Sequence, residues 1–241
     1  MTSPGSMWIA CETSGDRASV ATRLPDGTIA EEIIAGTRLH ARELIPALER
    51  LLATAGCTVK RVEGVLVSDG PGSFTGLRIG ATVAKGLAHM RRSPLRTASA
   101  LAVIARGGWR KAGGGNRRVL SVTDALRGDV YAALYQIDEA TIQELRPWAV
   151  TPVGELASWP EPDLLVSTLE LSGLSGAERV NGDAARPLAS TLLDLLTIDG
   201  ATKQVSNLES WEPEYGRPAE AQVRWEATHG RRLPDSPGNP R

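Results

Sequence analysis

The chain has 241 residues, 41% of them hydrophobic and 23% charged, with a formal net charge of −1. This fits one large domain or two small lobes around a sizeable core and excludes wholesale disorder, while the longest apolar runs, Leu101 to Ala105 and Ala132 to Tyr135, fall far short of the roughly 20 residues a membrane span needs. The first positive charge is Arg17, which predicts no charged leader, and Cys11, Cys57 and three histidines give neither a disulfide framework nor metal-site spacing, so a reduced, cytoplasmic protein is expected.

Trp8-Ile9-Ala10-Cys11 reads as a first strand, and Ala18 to Thr22 as a second after the polar turn Thr13-Ser14-Gly15-Asp16. Pro25-Asp26-Gly27 signals a hairpin turn, and Thr28 to Ile34 supplies a third strand. From Ala41 to Ala55, Leu44, Leu48, Leu51 and Leu52 recur at helical spacing, with Gly56 as the stop. Val62 to Val67 is a β-branched run bounded by turns, and a helix follows from about Gly76 to Met90. Gly107-Gly108 and Gly113-Gly114-Gly115 flank an expected basic loop and mark an expected lobe boundary, after which Val119 to Val122 and Val130 to Ile137 restart as strands. Leu188 to Leu196 reads as a late apolar helix, and no internal repeat is visible at residue level. The order β-β-β-α-β-α matches the ribonuclease-H-like unit of the actin-like ATPase fold, an α/β architecture of two lobes, each a mixed sheet flanked by helices. The expected organisation is a first lobe over 1–105 joined by a C-terminal helix 218–229, a degenerate second lobe over 106–217, and a frayed tail over 230–241.

Charge is unevenly spread. Between Gly70 and Thr123 there is no Asp or Glu but ten basic residues: Arg78, Lys85, Arg91, Arg92, Arg96, Arg106, Arg110, Lys111, Arg117 and Arg118. Such a block suits either a nucleic-acid face or solvated lobe surfaces, and it lacks the interleaved aromatics of a stacking platform.

The strongest local signal is Ser68-Asp69-Gly70-Pro71-Gly72-Ser73-Phe74-Thr75-Gly76-Leu77-Arg78-Ile79-Gly80. A strand running through glycines and hydroxyls into a helix N-terminus is chemically a candidate phosphate cradle, although no Gly-Lys-Ser/Thr follows. It is equally a tight turn that lets the helix pack closely on the strand. On that helix Gly76, Gly80 and Ala84 line one stripe, bordered by Val83 and Leu87. A stripe of small residues permits close approach, either of another helix or of the chain's own sheet.

The run Gly70 to Gly80, preceded by His40-Ala41-Arg42-Glu43-Leu44-Ile45-Pro46, resembles the bacterial TsaB (YeaZ) family of tRNA threonylcarbamoyladenosine biosynthesis. That family's opening Asp-Thr-Ser appears as Glu12-Thr13-Ser14, and its Asp-Ala-Arg before a Val-Tyr strand as Asp124-Ala125-Leu126 with Val130-Tyr131. Its closing Pro-x-Tyr-x-Arg appears as Pro213-Glu214-Tyr215-Gly216-Arg217, and the resemblance spans roughly residues 8 to 225. Glu12 and Leu126 depart from the family's Asp and Arg.

The resemblance implies a non-catalytic scaffold that binds and supports a TsaD-type catalytic subunit, with a TsaE-type small ATPase nearby, tRNA reached only through the complex, and a homodimer open to the free chain. Where the catalytic relative carries His-Met-Glu-Gly-His, this chain has Thr97-Ala98-Ser99-Ala100-Leu101-Ala102. That stretch offers no metal ligand. No cofactor is required on this reading. The half-kept nucleotide elements Glu12, Thr13, Ser14, Asp124 and Gly182 leave room for weak ATP or ADP binding. The resemblance also tips the small-residue stripe toward a partner, implying an interface of Leu44, Leu48, Leu51, Gly76, Gly80, Val83, Ala84 and Leu87. The alternatives are a metallopeptidase-like enzyme or small-metabolite kinase of the actin-like superfamily, and a direct tRNA-binding module.

Overall fold

The computed structural model describes residues 7–24, 26–36, 39–171, 174, 176–217, 225 and 228–231. The expected helix over 218–229 and the tail over 230–241 fall largely outside them. Three strands open the chain: β1 (Met7–Glu12), β2 (Arg17–Arg23) and β3 (Ile29–Ala35). The β2–β3 turn is built as its sequence requires, with Gly27 at φ +88° and the Asp26 carboxylate accepting from the Thr28 amide at 2.9 Å. Helix α1 (His40–Thr54) follows, then β4 (Val62–Gly70), α2 (Phe74–Arg91) and β5 (Leu95–Ser99). β1 pairs in parallel with β4 and antiparallel with β2, and β4 pairs in parallel with β5. β11 (Lys203–Gln204) adds an antiparallel edge, giving the order β11-β5-β4-β1-β2-β3.

The second sheet repeats this wiring. β6 (Arg117–Asp124), β7 (Asp129–Ile137) and β8 (Ile142–Pro152) form an antiparallel meander, and β9 (Leu164–Ser167) and β10 (Glu178–Val180) add in parallel. The order β10-β9-β6-β7-β8 is that of β5-β4-β1-β2-β3 in the first sheet. Only a 3₁₀ turn, Val153–Ser158, stands where α1 stands in the first lobe. The second lobe therefore repeats the first lobe's strand plan with a 3₁₀ turn in the place of α1.

Period-two alternation in β1 assigns its two faces. Met7, Ile9 and Cys11 join Val65 and Val67 of β4 under α1 and α2, while Trp8 and Ala10 turn to the opposite face. Every residue of β1 is buried, as a central strand covered on both faces demands. Helices α3 (Ala100–Lys111) and α4 (Ala189–Asp194) fill the space between the sheets, joining Trp8, Leu66, Ala133, Tyr135 and Val166 in one core. Trp109 and Trp159 are buried in the cores of the two faces of the second sheet.

Two expectations are corrected. Gly107 and Gly108 lie inside α3 and not beside a loop; a β-carbon at Gly108 would collide with Val166, so glycine there lets the helix seat on β9. The late helix is also shorter than its apolar run suggests, ending at Asp194 and tightening to a 3₁₀ turn over Leu195–Thr197. Among the described residues no helix is long and apolar enough to cross a membrane.

Candidate functional site

β1, β4 and β5 are parallel, so the turns following them gather at one end of the first sheet. There the β1–β2 hairpin lies over the glycine turn. Ser73 donates its amide to the Ser14 carbonyl at 2.8 Å, and its hydroxyl accepts from the Gly76 amide at 3.2 Å, capping α2. A β-carbon at Gly72 would lie 2.5 Å from the Ser14 carbonyl oxygen. At Gly76 it would collide with the Thr13 carbonyl, and at Gly80 with the Thr13 hydroxyl. The close approach that these glycines permit is thus taken up by the chain's own hairpin. Close packing, one of the two readings open for the turn, is realised.

Glu12 points inward. Its carboxylate is fully buried and accepts from the Ser14 amide at 2.7 Å, from the Ser14 hydroxyl at 2.6 Å, and from the Ser68 hydroxyl. Burial pushes its protonation upward, and the serine hydrogen bonds pull the other way. Thr13 and Ser14 are buried beside it. Gly182 opens an exposed 3₁₀ turn whose Asp183 pairs with Arg17 at 3.2 Å. Arg186, from the same turn, pairs with Asp16 at 3.0 Å, so the first hairpin and the Gly182 turn are brought together. Asp124 is exposed and serves its own turn, accepting from the Leu126 amide at 2.7 Å. Leu126 and Arg127 there adopt φ of +64° and +62°, and Leu126 is 65% exposed. Thr97, Ala98, Ala100, Leu101 and Ala102 are buried, and Ser99 precedes the first turn of α3.

The interface expected on α1 and α2 is corrected for six residues. Gly76, Gly80 and Ala84 are buried on the chain's own sheet, with Val67 only 3.4 Å from where a Gly80 β-carbon would stand. Leu44, Leu48 and Leu51 are buried in the same core with Val20, Ile34 and Val65. Helical periodicity found the stripe correctly; what covers it is this chain's own β-sheet. Val83 and Leu87 are half-buried at its border. The apolar side chains left outward on the pair are Ile45, 53% exposed, and Met90, 57% exposed.

The model of the family described as TsaD, tRNA N6-adenosine threonylcarbamoyltransferase, matches residues 28–185. The tRNA threonylcarbamoyladenosine biosynthesis protein TsaB of Escherichia coli (strain K12) is 31% identical over 229 residues, covering 87% of this chain and 94% of the relative. The chain belongs to the TsaB (YeaZ) family. Its fold agrees with YeaZ from Pseudomonas aeruginosa at a TM-score of 0.69 and 30% identity, covering 79% of this chain and 91% of that one. A second solved structure, described as an uncharacterised protein with similarity to peptidase YeaZ from Pseudomonas aeruginosa, gives a TM-score of 0.73 at 29% identity over 88% of this chain and all of that one. The α/β fold of two mixed sheets flanked by helices expected from the element order is the fold observed.

Within this TsaB-family chain half of the basic block is ion-paired with carboxylates outside it. Arg106 pairs with Asp194 at 2.9 Å, Arg117 with Glu178 at 2.5 Å, Arg118 with Asp163 at 3.5 Å and Lys85 with Glu212 at 3.3 Å. Arg110 also reaches Asp194, at 3.7 Å, and Arg96 donates to the Thr202 hydroxyl and carbonyl at 2.8 and 2.9 Å. Half of the ten cations are thus ion-paired among the described residues, and the sequence window hid this because every partner lies beyond it. Sequence reasoning also missed Asp69. It ends β4 beside a cavity of about 360 Å³ lined by Thr97, Lys203, Trp211 and Glu214. Burial, with the Glu214 carboxylate nearby, pushes its carboxyl up to about 6.

Proposed function

We propose that this chain serves threonylcarbamoyladenosine biosynthesis in tRNA as a non-catalytic subunit that binds and supports a TsaD-type catalytic subunit. The observation that carries this reading is the filled glycine turn. The backbone and hydroxyl of Thr13 and the backbone of Ser14 pack directly on the glycines of this turn; of that hairpin's carboxylates, Glu12 is held by Ser14 and Ser68 and Asp16 by Arg186. The glycines therefore shape α2 and its seat on the sheet. The large apolar side chains that α1 and α2 leave exposed are Ile45 on the first and Met90 on the second, with Val83 and Leu87 half-buried. Side chains of this kind, exposed without an internal partner, suit docking of another helix pair.

On this reading the small TsaE-type ATPase joins the assembled complex, tRNA is contacted only through it, and a cytoplasmic location follows. The free chain can pair with itself through the same side chains, and no cofactor is needed by this subunit. The test is reconstitution with the TsaD-type paralogue of the same organism. The two chains should co-migrate in size-exclusion chromatography at micromolar concentration, and this chain alone should transfer no threonylcarbamoyl group. Failure to co-migrate, or transfer by the isolated chain, contradicts the proposal.

A further inference from the structure

Pro213-Glu214-Tyr215-Gly216-Arg217 is a motif that the proposed function leaves unused, and its side chains act at a distance. After β11 the chain turns back and passes between the ends of the two sheets. On the first-lobe side the Glu214 amide donates to the Asp69 carbonyl at 2.6 Å. Gly70, at φ +111°, leaves room for the Glu214 carbonyl, with which any β-carbon there would collide. The Tyr215 ring lies 4.5 Å from Phe74 in the first turn of α2, and Glu212 pairs with Lys85 farther along that helix at 3.3 Å. On the second-lobe side the Tyr131 hydroxyl donates to the Tyr215 carbonyl at 3.3 Å, and the Trp148 indole N–H donates to the Glu214 carboxylate at 3.2 Å. Arg217 pairs with Asp129 at the start of β7. Gly216, at φ +74°, passes so close that a β-carbon would stand 2.5 Å from the Tyr131 ring.

We infer that residues 211–217 are an inter-lobe clamp, which ties the end of β4 and the first turn of α2 to β7 and β8 of the second sheet. The physical argument is one of shared partners. Asp69, Phe74 and Lys85 belong to the first lobe, and Asp129, Tyr131 and Trp148 to the second, yet each contacts the same short segment. Glu214 and Tyr215 each touch both lobes. An extended segment of this kind has no hydrogen-bond ladder of its own, so its order comes from the two lobes it joins, and theirs at this rim comes from it. The inference concerns the inter-lobe rim and stands apart from the partner docking proposed above.

The test uses the full chain with Gly216→Val, which drives the strap off the Tyr131 ring, and separately Arg217→Gln, which removes only the Asp129 ion pair. Amide hydrogen exchange read by mass spectrometry should then accelerate about tenfold or more in 69–76 and 124–131 together, in step with 211–217, while β1 and β6 keep their protection. Should Gly216→Val fail to fold, Arg217→Gln gives the same readout through a half-buried side chain. Acceleration confined to 211–217, or none at all in Arg217→Gln, would show that the strap is a passive loop and overturn the clamp. Neither substitution touches Ile45 or Met90, so loss of partner binding and loss of the clamp are separable results.

Discussion

Gly76 and Gly86 sit on one helix and should respond oppositely to a methyl group. Gly76 faces the Thr13 backbone, which cannot move without displacing β1, whereas nothing lies within 4 Å of a β-carbon at Gly86. Gly76→Ala should therefore cost about 2 kcal/mol or more, as overpacking against rigid backbone does. Gly86→Ala should stabilise by about 0.5–1 kcal/mol through helix propensity and a less flexible unfolded chain. Denaturant melts of the two variants check both signs at once. Asp69 offers a pH test. Its carboxyl, raised from 3.8 to about 6, binds its proton more tightly in the folded chain than in the unfolded one. Stability is therefore lost as pH rises from about 4 to about 6 and stays lower above that. Asp69→Asn keeps an acceptor for Thr97 but cannot ionise beside Glu214. It should raise stability at pH 8 by on the order of 2 kcal/mol, an advantage that fades below pH 4. Thermal melts of both chains across that range measure it, and an unchanged gap at all pH values would remove Asp69 as the cause.

At the scale of elements, the first half of the chain was legible because its signals are local. The Asp26-Gly27 turn, the leucine spacing of α1 and the β-branched run of β4 each need only a few neighbours to be read. The partner stripe shows where local reading stops. A period of four residues established that Gly76, Gly80 and Ala84 share a face, but only the position of Thr13 and Val67 reveals what covers it. Gly107-Gly108 looked like punctuation and turned out to be a seat for β9, since a glycine inside a helix can mark either a break or a close contact. The strap was illegible for a different reason, as its second-lobe partners lie 66 to 88 residues away, its first-lobe partner Lys85 lies 127 away, and it carries no periodicity. On α3 itself, Gly108→Leu should destabilise strongly, by about 3 kcal/mol or more, because Val166 sits between both lobes' shared core and the helix. An urea melt unchanged from the parent would contradict that placement.

For the whole molecule, the two sheets follow one strand order, and what separates the lobes is the covering of their outer faces. The first keeps α1 and α2, seated on the sheet through the glycine stripe; the second has a 3₁₀ turn and loops closing over Leu156 and Trp159. This repeat escaped the sequence because the topology is shared while side chains and helix lengths are not. Among the described residues the inner sides of α1 and α2 are spent on packing, which leaves Ile45 and Met90 as their exposed large apolar groups, the ones the proposed partner would meet. The most direct measurement is the affinity between this chain and the TsaD-type paralogue of its organism, taken by isothermal titration calorimetry for the parent and for an Ile45→Glu, Met90→Glu double variant. The account predicts a saturable complex for the parent, a loss of at least about tenfold in affinity for the variant, equivalent to 1.4 kcal/mol, and coincident thermal melts for the two. Equal affinity of parent and variant, or no complex with either, would contradict it.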